Sequence, residues 1–388
     1  MDFRRDPGQR MLQRTVSRLV DQEIAPRAAE YDRTGEFPSN NVSSIAKLGL
    51  FGVGIPKEYG GHPGGIVENC IVTEELARGC RSTASIRRIT WMCAWTIAEM
   101  GTPEQKERYV PSLARGETMG AGAWTEPEAG SDRANISTTA RLDGNFWVLN
   151  GSKHYISNWG VAGVYKVFAL TDPSNRETGI SVFLVEPGTP GFSYGAKHEK
   201  MGSNAYPTGE LIFKNCRVPR ENLFGEVGWG YWYGMNLMHQ YRPVLAAEAV
   251  GLAQAALEAS IDYSKLRVQF GHPIGTYQAM QMLLADMAMD VAAARQLVYY
   301  AAWLPDNGLP CKKEGLIAKM FACEMVNRVV YKATEIFAGA GYMKGCPVER
   351  FYRDARIFTT AEGTSQILRF GLARDLLERQ ESSEADWH

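Results

Sequence analysis

The chain has 388 residues, of which 45% are hydrophobic, 22% charged and 11% aromatic. This is ordinary globular usage, which excludes a largely disordered protein and, at roughly 100–200 residues per domain, allows about two or three domains. Lys plus Arg number 42 against 43 Asp plus Glu, for a net charge of −1, so no overall field draws the molecule to nucleic acid. No run approaches about 18 uninterrupted apolar residues, and the charged start MDFRRDPGQR has no hydrophobic stretch behind it. Neither a membrane span nor a secretory leader is expected, and a cytoplasmic location is. Cys70, Cys80, Cys93, Cys216, Cys311, Cys323 and Cys346 are odd in number and form no C-x-x-C pair. They read as buried reduced thiols rather than a disulfide framework or a zinc site, and no metal-ligand motif is present.

From Gln9 to about Gly120, apolar residues recur at three- and four-residue spacing, as in Leu12, Val16, Leu19 and Val20 and again in Val72, Leu76, Trp95 and Met100. The spacing predicts an α-helical first domain over residues 1–120. Phe146 to Leu149 then runs into Asn150-Gly151 and His154-Tyr155-Ile156, which predicts a tight hairpin turning at Asn150-Gly151. Val164 to Leu170, Ile180 to Val185 and Leu211 to Val218 are further strand-like runs, separated by turns such as Thr171-Asp172-Pro173 and Pro187-Gly188. A compact antiparallel β domain over 121–230 follows. After the glycine-rich connector Gly225 to Gly230, helical periodicity returns. Met280, Met287, Ala294 and Ala301 form one stripe with Leu284, Val291 and Val298 beside it. Leu316, Met320, Val326, Val329, Val330, Ala333 and Phe337 describe a second long helix, and Val250, Ala253, Leu257 and Ile261 a third. Residues 231–388 are expected to form an up-and-down bundle with the methionines as core filler; its one low-complexity segment is the acidic stretch Glu381 to Asp386. The expected fold class is α+β and multidomain: helical, then antiparallel β, then a four-helix-bundle-like domain.

No G-x-G-x-x-G follows a strand and there is no P-loop, so the usual nucleotide fingerprints are missing. Four stretches stand out instead: Thr125-Glu126-Pro127-Glu128-Ala129-Gly130-Ser131-Asp132, Asn150-Gly151-Ser152-Lys153-His154-Tyr155-Ile156-Ser157-Asn158, Arg267-Val268-Gln269-Phe270-Gly271, and Arg353-Asp354-Ala355 to Glu362-Gly363-Thr364-Ser365-Gln366-Ile367. In this order, and across nearly the whole chain, they resemble the acyl-CoA dehydrogenase family. The resemblance implies an FAD enzyme that oxidises the α,β carbon–carbon bond of an acyl-CoA thioester and passes electrons to an electron-transferring flavoprotein. Such chemistry needs a carboxylate base for the α-proton, donors on the thioester carbonyl and a hydride acceptor on the opposite face.

Residue by residue, Glu362 takes the position of the catalytic base, with its backbone N–H on the carbonyl and Gly363 and Ala361 beside the substrate. Some relatives carry the base on the bundle helix before Arg242; that position is Tyr241, which is no acid. Arg242 either orients the surroundings or caps a helix before Pro243. Thr125 and Ser157 match flavin-ring contacts, and Tyr155 stands where an aromatic wall, more often Trp, faces that ring. Ser131 matches a position near the pantetheine or pyrophosphate. Arg267, Gln269 and Phe270 match residues that hold the FAD of a neighbouring subunit, and Gly339, Thr364 and Gln366 match further cofactor contacts. A homo-oligomer is therefore implied, a tetramer of D2 symmetry. Glu128 and Ala338 replace family glycines, and Glu335 replaces a glutamine near the FAD diphosphate. Glu74 and, seven residues on, Arg81 reproduce a pair found in dehydrogenases of glutaryl-CoA-like dicarboxylic thioesters, and Ala361 widens the pocket where relatives often carry Tyr. Two other readings stand beside this one: an oxygen-reacting acyl-CoA oxidase or related flavoenzyme, and a catalytically silent acyl-CoA or protein-binding scaffold.

Overall fold

The computed structural model describes residues 5–378; the acidic stretch Glu381 to Asp386 lies outside them. Two compact units divide the chain, one up to Met238 and one from His239.

The first unit opens with helices α1 (Pro7–Leu19), α2 (Ala25–Thr34), α3 (Ser39–Lys47), α4 (Ile66–Gly79), α5 (Arg81–Met100) and α6 (Pro103–Ala114). Their starts are written locally: Asp6 with Gln9, and Thr102 with Gln105, form reciprocal capping boxes in front of prolines. α4 ends because Cys80 is extended and separates it from α5, and its last residue is glycine where a Cβ would lie 2.7 Å from Val20 Cγ1. α5 is buried on every side from Arg81 to Ala98, packing against α4, α6 and the first strand. An all-round buried helix carrying Arg81, Arg87 and Arg88 must supply partners for each charge; Arg87, for example, donates Nε and Nη2 to the Leu50 carbonyl.

The sheet of this unit contains β1 (Met119–Ala123), β2 (Thr139–Asp143), β3 (Phe146–Ser157), β4 (Ala162–Leu170), β5 (Ile180–Val185), β6 (Phe192–Lys197), β7 (Thr208–Pro219) and β8 (Leu223–Phe224). Its order is β6-β7-β3-β2-β4-β5-β8, with β1 alongside β4. Neighbours are antiparallel except that β4 pairs parallel with β1 and, at one register point, with β2. The hairpin expected at Asn150-Gly151 does not form. The chain runs straight through as the single strand β3, and the turn comes earlier, at Gly144-Asn145, where Asp143 pairs with Phe146 and Gly144 has φ 58°. Gly151 serves a different purpose: a Cβ would come within 2.5 Å of Thr138 Oγ1, and Asn150 Oδ1 accepts from the Asn215 amide at 2.8 Å beside a bulge in the β3–β7 ladder. A local turn signal lost to pairing along the whole length of a neighbouring strand.

The second unit holds the greater part of α7 (Gly230–Leu266), the small hairpin β9 (Val268–Gln269) and β10 (His272–Pro273), then α8 (Gln278–Asp306), α9 (Lys312–Phe337), α10 (Pro347–Ala355) and α11 (Ser365–Glu378). The expected α9 stripe is wholly buried, and in α8 burial runs from Met287 through Val291, Ala294 and Val298 to Ala301. α7 continues unbroken through Pro243, so Arg242 caps no helix; it is a buried mid-helix residue. Proline lacks the N–H that the His239 carbonyl would have accepted; that carbonyl takes the Cys311 thiol at 3.7 Å instead. α7 is also long and apolar enough to cross a membrane by length and composition, yet 78% of its apolar window is buried inside the protein.

Candidate active site

In the first unit, two of the sequence stretches are locked together by a pair of residues that the sequence reading passed over. Glu126 and Lys153, both buried, meet at 2.6 Å. Glu126 also accepts from the Ser137 and Thr138 amides and the Ser137 hydroxyl, while Lys153 donates to the Trp124 carbonyl. Burial by itself pushes the Glu126 carboxyl up; Lys153 and these donors outweigh it and hold the group at about 2. The neighbours of this pair are the residues matched to the flavin ring. The His154 amide donates to the Thr125 carbonyl at 2.8 Å. At the β3–β7 register shift between Lys153 and Ile156, Tyr155 takes φ 58° and turns its ring outward, 64% exposed. Among the described residues no hydrogen bond engages the hydroxyl of Thr125 or Ser157. An exposed aromatic face flanked by two available hydroxyls on a braced strand edge fits a planar, polar-rimmed ring such as the flavin's. Ser131 is exposed in the loop that follows β1.

At the α4–α5 junction Glu74 and Arg81 are each 5% exposed. Arg81 is the first residue of α5 and no solvated charge: its Nη1 donates to Ser203 Oγ at 2.5 Å, and its guanidinium lies 5.9 Å from the Tyr206 ring centre. Glu74 has Arg5 at 3.9 Å. Ser203 and Tyr206 carry no motif, because they come from a loop more than a hundred residues away that only folding brings to α5.

In the second unit Glu362 sits half-buried in the turn between the short 3-10 segment Arg356–Thr359 and α11. It has φ 54° and Gly363 has φ 107°. Two consecutive left-handed residues, one of them non-glycine, store of order 1–3 kcal/mol, so something must hold the turn. Lys319 does so: fully buried on α9, its ammonium donates to the Gly363 carbonyl at 2.7 Å and the Phe358 carbonyl at 3.1 Å, bracketing Glu362. On the far side Thr364 Oγ1 accepts from the Ile367 amide at 3.2 Å, and Leu368 packs on Leu316 and Met320, so α11 is pinned at its start. Lys319 was legible in principle as a lysine inside the apolar stripe of α9. Ala361 is half-buried and Gln366 exposed.

Arg242 Nη1 lies 2.6 Å from His239 Nδ1. Burial, then Arg242, holds His239 down at about 4; since a guanidinium only donates, Nδ1 is the acceptor and the ring proton sits on Nε2. Tyr241 is half-buried beside it. Gln269 and Phe270 lie on the β9–β10 hairpin, with Arg267 just before it; the Phe270-Gly271 turn has φ 51° and 82° and the Phe270 ring is 94% exposed. Gly339 is exposed in the turn after α9.

Family models for the N-terminal, middle and C-terminal domains of acyl-CoA dehydrogenases match residues 6–117, 121–216 and 228–377. An acryloyl-CoA reductase (NADH) of Anaerotignum propionicum is 44% identical over 98% of this chain and 97% of its own length. Among solved structures, a glutaryl-coenzyme A dehydrogenase in complex with glutaryl-CoA aligns with TM-score 0.95 and 39% identity over all of both chains. Butyryl-CoA dehydrogenase of Megasphaera elsdenii aligns with TM-score 0.95 and 38% identity over 97% of this chain and 100% of its own.

Proposed function

The chain belongs to the acyl-CoA dehydrogenase family of FAD-dependent oxidoreductases, and from that premise we propose that it oxidises the α,β bond of an acyl-CoA whose acyl group ends in a second carboxylate. The observation that carries the substrate class is the burial of Arg81. A guanidinium held at 5% exposure beside Ser203 and Tyr206 is suited to a substrate carboxylate, which it can take through paired, charge-assisted hydrogen bonds. The fit to a glutaryl-CoA complex over the full chain supports the same reading, and Ala361 leaves room for a substituted succinyl group as well as a glutaryl one. Glu362 takes the α-proton, its backbone N–H donates to the thioester carbonyl, and Lys319 keeps that turn in place. FAD, when bound, supplies the acceptor for the β-hydride. Thr125, Ser157 and Tyr155 would hold its ring. Electrons then leave to an electron-transferring flavoprotein, and in a homotetramer the exposed hairpin with Arg267 and Phe270 completes a neighbour's FAD site.

The test is turnover of a thioester panel with an artificial electron acceptor. Dicarboxylic thioesters should be preferred; Arg81→Met should raise their KM about tenfold or more and spare monocarboxylic ones, and Glu362→Gln should keep FAD yet lose roughly 10²–10⁴ in kcat. Preference for a linear monocarboxylic acyl-CoA, unchanged in Arg81→Met, would sink the dicarboxylate assignment; near-normal turnover in Glu362→Gln would move the base elsewhere. A second reading rests on the 44% identity to an acryloyl-CoA reductase: the same residues run in reverse, adding a proton and hydride to a 2-enoyl thioester. NADH consumption with enoyl-CoA distinguishes it, as peroxide release distinguishes an oxidase.

A further inference from the structure

One cluster of chemically capable side chains has no part in that reaction. At the sheet edge ordered β6-β7-β3, Gly209 of β7 pairs with Ile156 of β3 on one side and Lys197 of β6 on the other. The next residue, Glu210, stands between His154 of β3 and His198, which follows β6. His154 Nδ1 lies 3.1 Å from Glu210 Oε1, and the two imidazole rings are 4.4 Å apart. One candidate donor atom from each of the three residues falls within 4.8 Å of the other two. The carboxylate is oriented from behind, because Glu210 Oε2 accepts from the Ala196 amide at 3.3 Å, the kind of outer support that metal-binding carboxylates receive. A His154–Glu210 ion pair by itself would explain two of the three side chains. It leaves the third over: His198 Nε2 is buried and has no hydrogen-bond partner among the described residues, where buried ring nitrogens are ordinarily satisfied.

We propose that His154, His198 and Glu210 form a binding site for one divalent transition-metal ion of the zinc class, with the remaining coordination position open to water. Two imidazoles and a carboxylate are the donor set such ions take, while the all-oxygen preference of calcium and magnesium speaks against those ions. Bonds of ~2.0–2.2 Å draw donor atoms to at most about 4 Å apart, so no pair need close by more than roughly an ångström on binding. Burial, reinforced by His154, holds His198 below the ordinary imidazole range, which leaves it a lone pair to offer at neutral pH. The ion is taken by neutral imidazoles and an ionised carboxylate, any proton on them passing to water, and no redox change is involved. The site is independent of the substrate assignment, although its charge would lie beside Tyr155, whose ring is 4.4 Å from His154 and 5.1 Å from His198.

The experiment uses untagged, FAD-loaded enzyme, freed of metal by a chelator and equilibrated by dialysis against Zn²⁺, with bound zinc and flavin both counted. One zinc per chain is expected. Glu210→Gln and His198→Asn should each weaken binding about 10–100-fold with FAD content unchanged, and Cys346→Ser, at the one cysteine that is not buried, should leave it intact. No retained zinc, zinc lost with Cys346, or an affinity equal to the parent's in both site variants would overturn the proposal. If one variant loses FAD through misfolding, the other decides.

Discussion

Ala338 holds φ 50° and ψ −134° just past the end of α9, a backbone state that a Cβ makes costly and glycine adopts freely. It is one of the positions where the sequence departs from the family's glycine. Because the residue is exposed, no packing compensates, and Ala338→Gly should stabilise the FAD-loaded protein by about 1 kcal/mol, a rise of roughly 2 °C in Tm. A lower Tm in a thermal melt would show that the strain is illusory. Glu362, at φ 54°, differs in kind. There the side chain is the proposed base, so the conformational cost stays and its neighbours bear it.

The element that bears it is the turn from Phe358 to Gly363, and its brace is Lys319 on α9. Replacing that ammonium by an isosteric apolar chain strips donors from two carbonyls, each worth about 1–3 kcal/mol when left buried and unsatisfied. Lys319→Met should therefore lower both Tm and kcat, the latter by about tenfold or more, while KM and FAD content change little. Lys319→Arg should recover part of the rate, since it restores a donor. Loss of stability with kcat untouched would reduce Lys319 to a packing residue and dissociate it from Glu362. The β9–β10 hairpin needs no such brace, because Phe270 and Gly271 supply the two left-handed positions of a tight turn within two residues.

For the molecule as a whole, the buried Glu126–Lys153 pair ties folding to proton concentration. The carboxyl is held at about 2 in the fold against an ordinary 4.5, so the unfolded chain binds the proton first as pH falls. Its contribution is fully present above pH ~4.5 and is lost as pH falls toward 2. Lys153→Met leaves a buried carboxylate unpaired and should cost about 3–5 kcal/mol at neutral pH. The variant should also flatten the acid limb of a urea-melt series between pH 5 and 3; an acid limb as steep as the parent's would assign the pH dependence to other carboxylates.

The helical, β and helical textures, the α8 and α9 stripes and the Glu362 motif were all legible in the sequence, because periodicity and short motifs depend on residues close together in the chain. Asn150-Gly151 shows where that legibility ended: the dipeptide is a sound turn signal taken locally, yet β7 pairs with residues on both sides of it and keeps β3 straight. The Glu126–Lys153 pair, the Lys319 brace and the Arg81–Ser203 contact join residues 27 to 122 positions apart. Burial is what turns an ordinary lysine or arginine into a fixed, partnered charge, and it belongs to the assembled layers rather than to any stretch of chain. The sequence by itself determined which groups could do the chemistry; the tertiary structure decided which of them are held still to do it, since removing water around a charge is possible only where distant segments close over it.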